Sequence, residues 1–260
     1  MMGRAPTGSM RRCVFPTMGT VASLLHDGGE RVETAVQRLF EHDDALFSLY
    51  RDDSELSRVA RGEMSLAQTS APVREAYGTA LHWSAATDGW FTPHRADGVL
   101  DLNGVVKALS MQRAADALDE AGARNWCLNV GGDVLVGAAA SVGRPWRAGI
   151  VDPEDRSALL TEVVLAGDLR ALATSGTAER GEHLWGRSGA AGASLRQVSV
   201  LAPDILTADV CATWLCAAGE GAIDEACRRW PIEVLAADAA GRLTASAGFR
   251  ARFEGAGREE

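Results

Sequence analysis

The feature that most constrains this chain is a mixture of short apolar runs and longer segments whose apolar residues recur every three or four positions. Residues 14–25 read as a strand broken at Thr17-Met18-Gly19-Thr20. Residues 30–47 place Val32, Ala35, Val36, Leu39, Phe40 and Leu46 at helical spacing. A second helix opens at Ser70 as N-cap, with Pro72 in its first turn, runs through Ser84 and is closed by Thr87-Asp88-Gly89. A third spans 109–121 and stops at Gly122. Strands follow at 126–130, 134–137, 146–151, 171–174 and 197–202, then helices at 208–218 and 223–230. A terminal hairpin pairs 232–237 with 241–243. Neither a repeat nor a Pro/Ser-rich linker divides the chain, so the pattern predicts one α/β (α+β) domain with mixed sheets and flanking helices. The expected boundaries are a disordered tail at 1–12, a domain at 13–250 and a C-terminal tail at 251–260.

The net charge of −9 argues against nucleic acid as a general partner, because such binding rests on Lys and Arg neutralising phosphates. It leaves room for a small anion in a local basic or metal-containing pocket. No run is long and apolar enough to span a bilayer, and the N-terminus has arginines but no apolar core before Cys13. The expected location is the cytoplasm. The five cysteines are odd in number and unevenly spaced, which predicts free thiols, and Cys211 and Cys216 lack CxxC spacing. The seven tryptophans are expected in the core and in pocket walls.

Three short constellations could carry chemistry. In DLNGVVK (101–107) a glycine turn leads into a helix, whose N-terminal amides and dipole favour phosphate, with Lys107 adding a point charge. Taken alone, the same residues favour a plain strand-to-helix connection with Asp101 and Lys107 solvated. Asp209 and Thr213 in TADVCAT (207–213) share a helix face, a carboxylate and a hydroxyl suited to Mg²⁺. Taken alone, Asp209 favours the reading as an acid in a first helical turn, where the dipole stabilises it. NVGGD (129–133) allows close backbone approach or a hairpin turn. The chain has no GxGxxG, P-loop, HExxH or GxSxG signature.

The order of these motifs resembles that of the ApbE-type FAD:protein FMN transferases. The resemblance runs through TMGT (17–20), FSLYRDDSELSR (47–58), TDGWFTP (87–93), DLNGVVK, NVGGD, ATSGTAER (173–180), His183-Leu184-Trp185 and TADVCAT. It covers nearly the whole chain. It implies a single-domain T-fold-like architecture with FAD in a cleft and Mg²⁺ on the pyrophosphate. It also implies transfer of FMN to a Thr or Ser hydroxyl in a loop of an acceptor protein, with release of AMP. By position, Met18 and Tyr50 would line the flavin or adenine side, with Trp90, Phe91 and Thr92 forming another wall. Asp101 would hydrogen-bond the cofactor, Lys107 would approach the phosphates, and backbone around His183 and Leu184 would touch FAD. Asp209, Thr213 and a carbonyl near Gly104 would hold the metal, which makes Asp101, Lys107 and Asp209 the expected catalytic set.

The sequence departs from the family pattern at three places, one being Ala108 after Lys107, where glycine is usual. Thr92 stands where Asp is usual, and the segment after His183 reads Leu184-Trp185-Gly186-Arg187, without the family's Asp-Pro. The same site could therefore serve as an FAD pyrophosphatase or as a non-catalytic FAD store.

Overall fold

Ten strands and seven α-helices organise the described residues, which in this computed structural model are 10–137, 145–176 and 195–256. Strands β1 (Arg11–Thr17) and β2 (Thr20–His26) form a hairpin in which Thr17 pairs with Thr20. Met18 and Gly19 make the turn at φ 45° and 71°. This is the left-handed pair that matches strand twist in two-residue hairpins. Three long helices come next in the sequence, with a short one among them: α1 (Glu30–Phe47), α2 (Glu55–Ala60), α3 (Ala71–Ala86) and α4 (Asn103–Glu120). Helix α1 turns Val32, Val36, Phe40 and Phe47 inward, as its spacing predicts.

After α4 the chain returns to strands: β3 (Trp126–Val130), β4 (Asp133–Val136), β5 (Trp146–Val151), β6 (Leu159–Leu165), β7 (Ala171–Gly176) and β8 (Gln197–Ala202). Helices α5 (Ile205–Ala218) and α6 (Ile223–Arg229) precede β9 (Glu233–Ala237), β10 (Leu243–Ala245) and α7 (Ala247–Ala256). Eight strands make one sheet in the order β1-β2-β3-β4-β7-β8-β9-β10, and β5–β6 form a second. Every strand pair is antiparallel, which makes this the α+β form of the expected class.

The large sheet is covered unequally. On one face Leu24, Trp126, Leu128, Ala173 and Val200 share a core with α1, α4 and α5. On the other, Val134, Val136, Leu172 and Leu201 pack against β5, β6 and Phe249 of α7. The central strands are therefore buried on both sides, and β4 and β8 are buried almost throughout, with Asp133 and Ser199 among their buried residues. The β1–β2 hairpin alternates instead, leaving Val14 and Val21 about half exposed.

Several boundaries differ from the sequence reading. β1 begins at Arg11, inside the expected tail, and α7 continues past residue 250. Helix α4 starts at Asn103, because the Asp101 carboxylate accepts a hydrogen bond from Asn103 N–H (2.9 Å) and organises the first turn inside the motif. Ser70 has extended, cap-like geometry, but its hydroxyl does not cap α3; its N–H donates to Glu55 (2.7 Å). β6, α2 and α7 carry no strong periodic signal and went unread. The five thiols are free; burial pushes those of Cys127 and Cys211 up to about 12, which keeps them protonated. No helix among the described residues is long and apolar enough to cross a membrane.

Candidate active site

Helix α5 supplies the lowest layer of the site. The Asp204 carboxylate caps it by accepting hydrogen bonds from the Thr207 N–H and hydroxyl, both at 2.8 Å. Ten of the fourteen residues of α5 are buried, so an acid among them stands out: Asp209 is 1% exposed. Thr213 lies one turn further on the same face, with its hydroxyl 3.1 Å from that of Ser175 on β7.

Helix α4 approaches from the side. Asp101 and Pro93 are tied by a backbone bond of 2.8 Å, which fixes the entry to α4 and sets Gly104 in its first turn. A Cβ at Gly104 would stand 2.7 Å from Phe91 Cε2, so only glycine lets the ring lie against the helix. One turn on, the Lys107 ammonium contacts Asp133 Oδ2 and lies 3.8 Å from Asp209 Oδ2.

Asp133 ends the NVGGD motif, which was read for its paired glycines with no role given to the acid. Gly131 and Gly132, at φ 60° and 98°, form the two-residue β3–β4 turn, and Asp133 begins β4 opposite Val130. Its Oδ1 accepts Thr174 N–H (3.1 Å). Burial pushes its carboxyl above the ordinary range; Lys107 opposes that shift and Asp209 adds to it. The available signal was one acid opening an otherwise apolar DVLV strand.

Above these groups opens a cleft of about 880 Å³ that gathers most of the expected site. Met18 reaches it from the hairpin tip, in a backbone conformation that costs a non-glycine residue roughly 1–3 kcal/mol. Tyr50 reaches it from the loop after α1. There the hydroxyls of buried Ser54 and Ser57 both donate to the Ser48 carbonyl. Trp90, Phe91 and Thr92 follow a turn in which Asp88 and Gly89 are left-handed and the Thr87 hydroxyl accepts Phe91 N–H (3.1 Å). Asp101, Gly104, Lys107 and Thr213 line the same cleft. Arg51 and Arg95 add cationic side chains that the sequence reading missed; each also pairs with a nearby acid, Asp53 and Asp97. His183, Leu184, Gly186 and Arg187 lie outside the described residues.

The donors present suit a hard divalent cation. Two buried carboxylates stand near one ammonium, and Thr213 supplies a hydroxyl oxygen. No group of three or more His, Cys, Asp or Glu that could hold a metal ion occurs among the described residues. Mg²⁺ characteristically uses one or two carboxylates and lets substrate phosphates complete its shell.

A family model described as "ApbE family" matches residues 18–99 and 92–236. A Vibrio cholerae protein named FAD:protein FMN transferase is 25% identical over 62% of this chain, and the match spans 64% of that relative's length. Three solved structures share the fold over almost their whole length, 99% of each. The flavin transferase ApbE from Vibrio cholerae has a TM-score of 0.74 at 21% identity, covering 94% of this chain. The ApbE protein from Thermotoga maritima scores 0.78 at 17% identity, also covering 94%. The apo flavinyl transferase ApbE from Pseudomonas stutzeri scores 0.76 at 18% identity, covering 96%.

Proposed function

This chain belongs to the ApbE family, and from that premise we propose that it is a Mg²⁺-dependent FAD:protein FMN transferase. FMN passes from FAD to a Thr or Ser hydroxyl in a loop of an acceptor protein, and AMP leaves. The carrying observation is the convergence of Lys107 and Thr213 at one cleft large enough for a dinucleotide, directly above buried Asp209.

In this reading the walls hold the flavin and adenine rings. Trp90 and Phe91 offer ring faces, and Tyr50 offers a third at the mouth. Lys107 and the N-terminal end of α4 attract the pyrophosphate. The acceptor oxygen forms a bond to the FMN phosphorus as the bond from that phosphorus to the AMP oxygen breaks. Asp101 is assigned to take the hydroxyl proton: of the cleft carboxylates it is the one fixed at the head of α4, whereas Asp44 lies 3.9 Å from Arg51. Asp209, Thr213 and the Gly104 carbonyl are assigned to the metal. When bound, magnesium supplies charge neutralisation on the pyrophosphate oxygens.

Incubation with FAD, Mg²⁺ and a flavin-acceptor domain tests the reading, with intact masses and nucleotide products as the readout. A covalent FMN adduct with one AMP per adduct is expected. FMN and AMP without an adduct would replace transfer by hydrolysis. Bound but unchanged FAD would replace both by storage.

A further inference from the structure

The Lys107 ammonium stands between two buried carboxylates from different elements. Asp133 comes from β4 and Asp209 from α5, and each is 1% exposed. Lysine's flexible four-carbon stem could carry its charge to either. The structure shows it in contact with Asp133 and 3.8 Å from Asp209 Oδ2.

Asp133 is built to hold that charge. The Gly131-Gly132 turn fixes where β4 begins, and the pairing of Val130 with Asp133 sets the register. Strand alternation then sends Asp133 to the same face as Leu135, toward the helices, while Val134 and Val136 face the second sheet. The Thr174 N–H holds Oδ1 from β7, leaving Oδ2 directed at Lys107. Asp209 lies where an ammonium in full contact would neutralise the oxygen that a cation must bind.

We propose that Asp133 is a positioning residue: it retains the Lys107 ammonium and so keeps the Asp209 carboxylate available to a divalent cation. This rests on the magnesium reading above. Without Asp133 the ammonium closes on Asp209 and competes with the metal for it.

The test uses Mn²⁺ alone, without FAD, reading free Mn²⁺ by electron paramagnetic resonance on protein shown by circular dichroism to be folded. Asp133→Asn is expected to weaken Mn²⁺ binding by about 10–100-fold, the usual cost of losing a group that orients a ligand. Lys107→Met removes the competing charge and is expected to bind Mn²⁺ at least as tightly as the wild type. The double variant is expected to recover most of the affinity lost in Asp133→Asn, a rescue that a merely structural role for Asp133 does not produce. Wild-type affinity in Asp133→Asn, or a double variant as weak as Asp133→Asn, overturns the proposal. If Asp133→Asn does not fold, weakened binding in either Lys107→Met or the double variant overturns it instead. Failure of the wild type to bind Mn²⁺ both alone and with FAD present, where the pyrophosphate completes the shell, removes the magnesium reading itself and the role of Asp133 with it.

Discussion

The floor of the cleft and its rim hold their side chains by different means. Lys107, Asp133 and Asp209 stand on α4, β4 and α5, inside the main core, and both carboxylates are almost wholly out of water. Met18, Tyr50 and Trp90 stand on turns and a loop, and Tyr50 is 90% exposed. Packing fixes the floor before any ligand arrives, so its charges need little reorganisation when phosphate chemistry takes place. The rim can shift around a ring system, and it is held mainly by turn geometry. The contrast predicts that floor variants lose turnover while rim variants lose affinity.

The largest expected effect is at the floor. Asp209→Ala should lower the transfer rate by about a thousandfold or more, since metal stabilisation of developing charge is worth several kcal/mol. Flavinylation initial rates on folded protein measure this; a rate within tenfold of wild type would remove the metal assignment. Next is the junction of floor and wall, where Gly104→Ala would drive a methyl against Phe91. An alanine inside a helix ordinarily stabilises by about 1 kcal/mol. Here overpacking should instead cost about 1–3 kcal/mol in urea denaturation and raise the KM for FAD. A stabilised variant would show that the wall yields freely.

At the rim, Tyr50→Ala should leave stability within about 0.5 kcal/mol of wild type. Its KM for FAD should rise about two- to tenfold, the worth of one ring contact, with kcat little changed. A matching fall in kcat would place Tyr50 with the floor. The smallest effect concerns how the rim hairpin is tied to α1, through Glu33, Arg11 and His26. The Arg11 guanidinium, bonded at 2.6 Å, holds the Glu33 carboxyl below its ordinary value of 4.5, with His26 adding to the shift. A lowered folded value means that the stabilisation is present above about pH 4.5 and fades as pH falls through that lowered value. Glu33→Gln should therefore lower the Tm slightly at neutral pH and flatten its acid limb, as thermal melts across pH would show.

Much of this contrast was legible in the sequence. Helical spacing placed α1 to the residue, whereas the interruption at Thr17-Met18-Gly19-Thr20, expected as a break within one strand, is the turn of a two-stranded hairpin whose tip forms part of the rim. Lys107 and Thr213 were named from motif order, and the fold brings both to the cleft. No role was found for Asp133, because a Gly-Gly-Asp run reads equally as a turn. Its meaning depends on register, which lets Thr174 of β7 and Lys107 of α4 meet one carboxylate. Arg51 and Arg95 were hidden for a related reason: surface arginines are common, and only the loop path turns these two toward the cleft. β6 was missed because LLTEVVL lacks clean alternation, its outer half being exposed and its end buried.

The pairing of β2 with β3 has a consequence for how the protein is made. Ala22 lies opposite Val130, so the first hairpin waits through three long helices for its partner strand. Closing that loop costs entropy before the contact repays it, and such distant pairings form slowly. When they do form, the two turns meet closely: a Cβ on Gly131 would stand 2.9 Å from the Thr20 hydroxyl. A nascent chain that has emerged only through α4 thus carries a hairpin with no strand beside β2, an unsatisfied edge open to wrong partners. The cleft is complete only after α5 emerges, because Thr213 and Ala217 of that helix line it, so a chain able to close it has already made β3 and β4.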